Sequence, residues 1–134
     1  MGYGEVAVNA VQMCKSDDKY NPCDAWKIAA QEHYPSSQSA QLKGGPKGAF
    51  LGLCSEGLVR HVSKRRYARA IQSGSYAVKA VRVLQHYENQ HTELPNALQL
   101  WDVVMKKLGK EIVHNGQMDV ALALWKAGFI MSEE

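Results

Sequence analysis

The sequence predicts an all-α fold, a single domain built from two related three-helix units by internal duplication. Three observations carry this. Apolar residues recur at helical spacing through most of the chain, while strand-like alternation is nowhere sustained. Proline and glycine fall where helices would start and stop. The stretch Gly45–Val59 recurs as Gly116–Ile130 at a constant shift of 71, pairing Leu51 with Leu122, Leu53 with Leu124 and Gly57 with Gly128. The echo extends upstream, where Ala7–Val11 returns as Ala77–Val81 at a shift of 70, and more loosely from Pro22…Trp26 to Pro95…Trp101. Unit one then spans about residues 3–59, a basic connector about 60–73, and unit two about 74–130.

In unit one, Val6, Ala7, Ala10, Val11 and Cys14 share one face of a helix over Tyr3–Cys14. After the polar break Lys15–Asn21, Asn21 suits an N-cap and Pro22 the first turn, and Asp24 sits where the helix dipole favours a carboxylate. Ala25, Trp26, Ile28, Ala29 and Ala30 carry this second helix to about His33, and Tyr34-Pro35 stops it. Ser36–Gly44 reads as a small-residue loop. The third helix places Pro46 at its first position and Gly57 just past its last turn, where the backbone turns left-handed. Phe50, Leu51, Leu53, Cys54 and Leu58 leave it almost no polar face, so it should be central.

Gly74-Ser75 opens unit two. A helix follows from Tyr76 to about Glu88, then a break at Asn89–Thr92. Leu94-Pro95 starts the next helix, in which Leu98, Trp101, Val104, Met105 and Leu108 keep helical spacing up to Gly109. A loop over Lys110–Asn115 leads to the last helix, which ends at Gly128.

At 134 residues one domain is the default, and 46% apolar content is enough to fold it. No window approaches the roughly 18 apolar residues of a membrane span, so no membrane role is expected. The start of the chain lacks the basic and apolar regions of a secretory signal. Gly2 is not followed by Ser or Thr at position 6, where myristoylation wants one. Cys14, Cys23 and Cys54 are odd in number, form no C-x-x-C, and have apolar neighbours. Buried reduced thiols in a cytoplasmic protein are expected, with no metal site and no cofactor.

The strongest functional signal is charge. Between Gly57 and Tyr87 there is no Asp or Glu, but seven basic residues: Arg60, Lys64, Arg65, Arg66, Arg69, Lys79 and Arg82. The whole chain carries 16 basic and 13 acidic residues, so outside that span the balance is 9 against 13. Such asymmetry is the footprint of a surface that meets phosphate, DNA or RNA being the partner expected. Within the run Tyr67 could stack on a base. A solvated connector kept out of the core would carry the same charges.

Two further clusters bear on function. His114-Asn115-Gly116-Gln117-Met118-Asp119 precedes the last helix. His114 and Asp119 could act as a base and its orienter, or Asn115 and Asp119 could simply cap the helix. No nucleophile is tied to His114 by a local motif, so no catalytic residue is assigned. Lys43-Gly44-Gly45-Pro46-Lys47-Gly48 could cradle an anion, although it is not the phosphate-loop motif. The repeat puts these two loops at equivalent places. A ligand groove between them would be lined by Ser36, Ser37, Gln38, Lys43, His114, Asn115, Gln117 and Asp119. The ending Leu53–Val59 also occurs on winged helix-turn-helix proteins, but no strand pair follows it to make a wing.

Asn21-Pro22 with Ala25-Trp26, the run Gly48–Val59 and the run His114–Trp125 together resemble a family of small, mostly bacterial proteins classed as a domain of unknown function. The resemblance covers nearly the whole chain. It implies a stand-alone cytoplasmic domain and transfers no activity or cofactor. The second Trp departs from the family pattern by following Pro95 at six residues rather than four. Three functions compete: a polyanion-binding module using the basic connector, a small-molecule enzyme or sensor using the His114 cluster, and a homo-oligomerising structural protein.

Overall fold

The computed structural model describes residues 2–17, 19–67 and 72–131. Among these the chain forms seven helices: α1 (Tyr3–Ser16), α2 (Pro22–His33), α3 (Gln38–Gln41), α4 (Gly44–Ser55), α5 (Gln72–Asn89), α6 (Ala97–Leu108) and α7 (Gln117–Lys126). The all-α class is as expected. The pairing across sheet-like hydrogen bonds seen among the described residues is one isolated antiparallel bridge, Val59 with Ile130.

The second helix starts as its sequence requires: the Asn21 side chain accepts the Asp24 N–H at 2.9 Å. The sixth starts later than expected. Pro95 does not open it; Asn96 is the cap, and Asn96 and Gln99 exchange side-chain to backbone hydrogen bonds, both at 2.9 Å. This reciprocal box satisfies two amide donors at once. Counted from the caps, Trp26 and Trp101 each stand five residues on, so the irregular spacing from Pro95 disappears.

Other boundaries also differ from expectation. The loop after Pro35 contains the short helix α3, capped by Ser37, whose hydroxyl accepts the Ala40 N–H at 3.2 Å. Helix α4 begins at Gly44, which makes Pro46 its third residue rather than its first. The proline is tolerated there because first-turn amides have no partner within the helix. Gly74 and Ser75 lie inside α5 instead of ahead of it. Residues 60–67 of the connector are not helical, whereas Gln72 and Ser73, expected to belong to it, already form the start of α5.

Helix α4 is central, with Gly48, Ala49, Phe50, Leu53 and Cys54 buried. It packs on α5 and α7, while α1 packs on α2 and α7. Trp26 stacks on Phe50 at 5.2 Å in the larger apolar cluster. Trp101 meets Tyr76 edge-on at 5.3 Å in the smaller one. Helices α5 and α7 contribute side chains to both clusters and tie them together.

Contacts in the two halves correspond. Beyond α4, Gly57 and then Leu58 donate back to Cys54 and Leu53; beyond α7, Gly128 and then Phe129 donate to Trp125 and Leu124. Gly57 and Gly128 have φ of 74° and 79°. The Arg60 N–H donates to the Phe129 carbonyl at 2.8 Å, and the Met131 N–H to the Leu58 carbonyl at 2.7 Å. A shift of 71 turns one bond into the other. A side chain at Gly4 would strike Ala123 and the Asp119 carbonyl, and one at Gly74 would strike Gly52 and the Gly48 carbonyl. The α1–α7 and α5–α4 crossings therefore use equivalent positions, each pairing helices from different halves.

Candidate functional site

The basic connector is a strap laid over the ends of α2 and α4. The Val59–Ile130 bridge fixes where it begins. His61 follows at φ 69°, its ring edge-on to Phe129 at 6.0 Å. The aliphatic stem of Lys64 runs beside Gly57, close enough that a methyl group there would touch it at 3.1 Å. The strap is then tied down at Tyr67. Its N–H donates to Ser55 Oγ at 3.1 Å, its carbonyl accepts from the Cys23 thiol at 3.4 Å, and its hydroxyl donates to the Ser63 carbonyl. Ser55 can accept because its own hydroxyl proton goes to the Leu51 carbonyl at 2.7 Å.

On this anchored backbone Arg60, Lys64, Arg65 and Arg66 are all exposed. Arg69 lies outside the described residues. Tyr67 is half-buried against the larger cluster and anchors the strap there. Burial raises its phenol above the ordinary range, opposed by the neighbouring Arg65. Lys47, on α4, lies near enough to Cys23 to act on its thiol, so it borders the same region. Nothing in the sequence linked Lys47 to the strap, because α4 had to be docked first.

The three cysteines converge beneath Tyr67. All are free. Cys54 is fully buried, and burial pushes its thiol well above the ordinary range, with Cys14 and Cys23 close enough to add to the effect. Burial raises Cys14 and Cys23 as well. Held as thiols, they behave as small apolar groups.

The loops ahead of α4 and α7 do meet. A side chain at Gly45 would strike Asn115, and one at Gly116 would strike Pro46 and Tyr3. Lys43 lies over the Tyr3 ring at 5.7 Å and is close enough to His114 to disfavour its protonation. The polar groups there are engaged in holding backbone. His114 Nε2 accepts the Met118 N–H at 3.1 Å, Gln117 accepts the Asn115 N–H at 2.7 Å, and Ser37 caps α3. Capping is thus done by the His114 imidazole, with Gly116 at the N-cap position. Burial lowers the His114 pKa, Asp119 pulls it up and Lys43 down. Ser36 and Gln38 are exposed.

A groove of about 440 Å³ lies elsewhere, between α1 and α7 with the start of α6 at its rim. Glu5, Asp119 and Lys126 supply its charges and Asn9 and Asn96 its amides. Asp119 alone belongs to the set expected to line a groove. Glu5 and Asp119 both act on the Tyr34 phenol, whose pKa burial raises first and these carboxylates raise further. Both carboxylates therefore lie within electrostatic reach of that phenol. The others were missed because α1 and α7 come together from opposite ends of the chain, which a single sequence does not reveal.

With this geometry in place, the chain is found to belong to a family of unknown function, DUF6979, whose model matches residues 1–131. No curated protein and no solved structure matches it. Among the described residues no helix is long and apolar enough to cross a membrane.

Proposed function

We propose that this protein is a polyanion-binding module, with DNA or RNA as the partner class, and that the strap is its contact surface. One observation carries the reading. Arg60, Lys64, Arg65 and Arg66 are exposed on a backbone tied at both ends, to Phe129 at one and to Ser55 and Cys23 at the other. A free basic coil would lose conformational entropy on binding phosphate; an anchored one has lost much of it on folding. Phosphate contacts of this kind supply affinity without reading sequence.

The two-unit reading belongs with this proposal. The matched caps, bridge hydrogen bonds and glycine crossings support a doubled three-helix piece, with the strap as the joint between copies. As that joint, the strap carries its charges on exposed side chains, outside the buried core.

The test is a fluorescence-anisotropy titration of labelled single-stranded and duplex oligonucleotides at low salt. Saturable binding is expected for the wild type. The variant Lys64→Ala/Arg65→Ala/Arg66→Ala should bind at least about tenfold more weakly while keeping its helical circular dichroism. Equal affinity of the two proteins would reject the strap as the contact surface.

A further inference from the structure

The α7 wall of the groove carries opposite charges two helical turns apart. Asp119, Ala123 and Lys126 all line it from α7, and Asp119 and Lys126 are seven residues apart. At the rise of an α-helix that separation is about 10 Å along the axis, on the same side of the helix. Asp119 is half-buried and Lys126 exposed. Glu5 also borders the groove, but it already has an interaction of its own. Where α1 crosses α7 the residues are small: a side chain at Gly4 would strike Ala123 and the Asp119 carbonyl. Two carboxamides line the groove as well, Asn9 from α1 and Asn96 from the cap of α6. The Asn96 carbonyl oxygen is taken by the Gln99 N–H, which leaves its amide N–H groups to donate. A volume of about 440 Å³ falls within the range of small-ligand sites, about 300–1,000 Å³.

We infer that this groove binds a short linear zwitterion, a free peptide of about three residues. Its terminal ammonium pairs with Asp119 and its terminal carboxylate with Lys126. Length decides the class. An extended chain advances roughly 3.3–3.6 Å per residue, so three residues span about 10 Å, the separation of the two charges. A single amino acid carries both charges on one carbon and cannot reach both ends. Lys126 disfavours a diamine and Asp119 a dicarboxylate, so a ligand with opposite ends is the one both charges accept. Between the ends, the Asn96 amide donates to a peptide carbonyl, and the Asn9 carboxamide can both donate and accept.

The probe is trialanine with free ends, titrated at low salt into the full chain and followed by amide NMR shifts. Saturable shifts are expected at Gly4 on α1 and at Ala123 on α7. Acetylating the peptide's ammonium or amidating its carboxylate should each weaken binding at least about tenfold, the loss of one charge-assisted contact. The same blocks should cost nothing further in the matching variants, acetylation in Asp119→Asn and amidation in Lys126→Met. That pairing cannot arise from a variant that merely folds less well. The free amino acid alanine should bind at least about tenfold more weakly than trialanine. The strap variant Lys64→Ala/Arg65→Ala/Arg66→Ala should bind trialanine as the wild type does, which separates this site from the strap. No saturable shifts, shifts confined to other helices, or equal binding of the doubly blocked peptide would each overturn the assignment. A diamine of the same length that binds as tightly as trialanine would overturn it in favour of a cation site at Asp119.

Discussion

A methyl group on Gly52 would overlap the Cα of Gly74, and one on Gly74 would lie 2.9 Å from the Cα of Gly52. Backbone has no rotamer with which to yield, so α4 and α5 would have to separate. Gly52→Ala should cost about 1–3 kcal/mol in urea unfolding, the range for overpacked cores. Gly44→Ala, with nothing within 4 Å of the new atom, should change stability little. Similar losses at both sites would contradict the close crossing. His114 gives a second residue-level expectation. Its imidazole must be neutral at Nε2 to accept the Met118 N–H, and its pKa is lowered from 6.5, first by burial. The unfolded chain then binds more protons in the window just below 6.5, so stability falls as pH drops through it and is fully present above it. Urea midpoints measured across that window should show this step in the wild type and lose it in His114→Gln. At this scale the sequence was legible where one residue meets its own helix, as at Asn21 and Gly57. It was not legible at His114, whose capping role depends on a loop folding back, or at Leu98, whose spacing fits the core although 70% of it is exposed.

The strap has no secondary structure of its own among residues 60–67, so side chains on its neighbours must hold it. Ser55 is the most economical place to test this. Its hydroxyl connects the last turn of α4 to the Tyr67 amide. Ser55→Ala removes both of these hydrogen bonds at a half-buried position and should cost about 1–3 kcal/mol. If the anchored geometry matters for binding, oligonucleotide affinity should fall too, although no charge has been removed. Unchanged affinity in the folded variant would show that the cations act without the anchor. Helix boundaries were legible where the caps are local. They failed at Gly74, which looks like a breaker until α4 is seen passing against it, and at Pro95, where the better cap one residue later sets the start. Apolar periodicity identified α4 as central because burial on all sides leaves no polar face to find.

At the scale of the molecule, α1 meets α7 and α5 meets α4, so each half supplies helices to the other's crossing. The recurring stretches of sequence suggested matching elements but could not say that those elements would meet, since likeness does not fix proximity. The same arrangement leaves a groove open between α1 and α7. It also concentrates the basic residues on the joint between the halves, in a chain whose remainder is acidic on balance. If the strap neutralises phosphates, the salt dependence of binding counts how many. The most direct measurement is the slope of log affinity against log salt for duplex DNA, in the wild type and in Lys64→Ala/Arg65→Ala/Arg66→Ala. At about 0.9 per neutralised phosphate, three lost contacts should make the slope shallower by roughly 2.7. Parallel lines for the two proteins would contradict the strap as the phosphate-contacting surface.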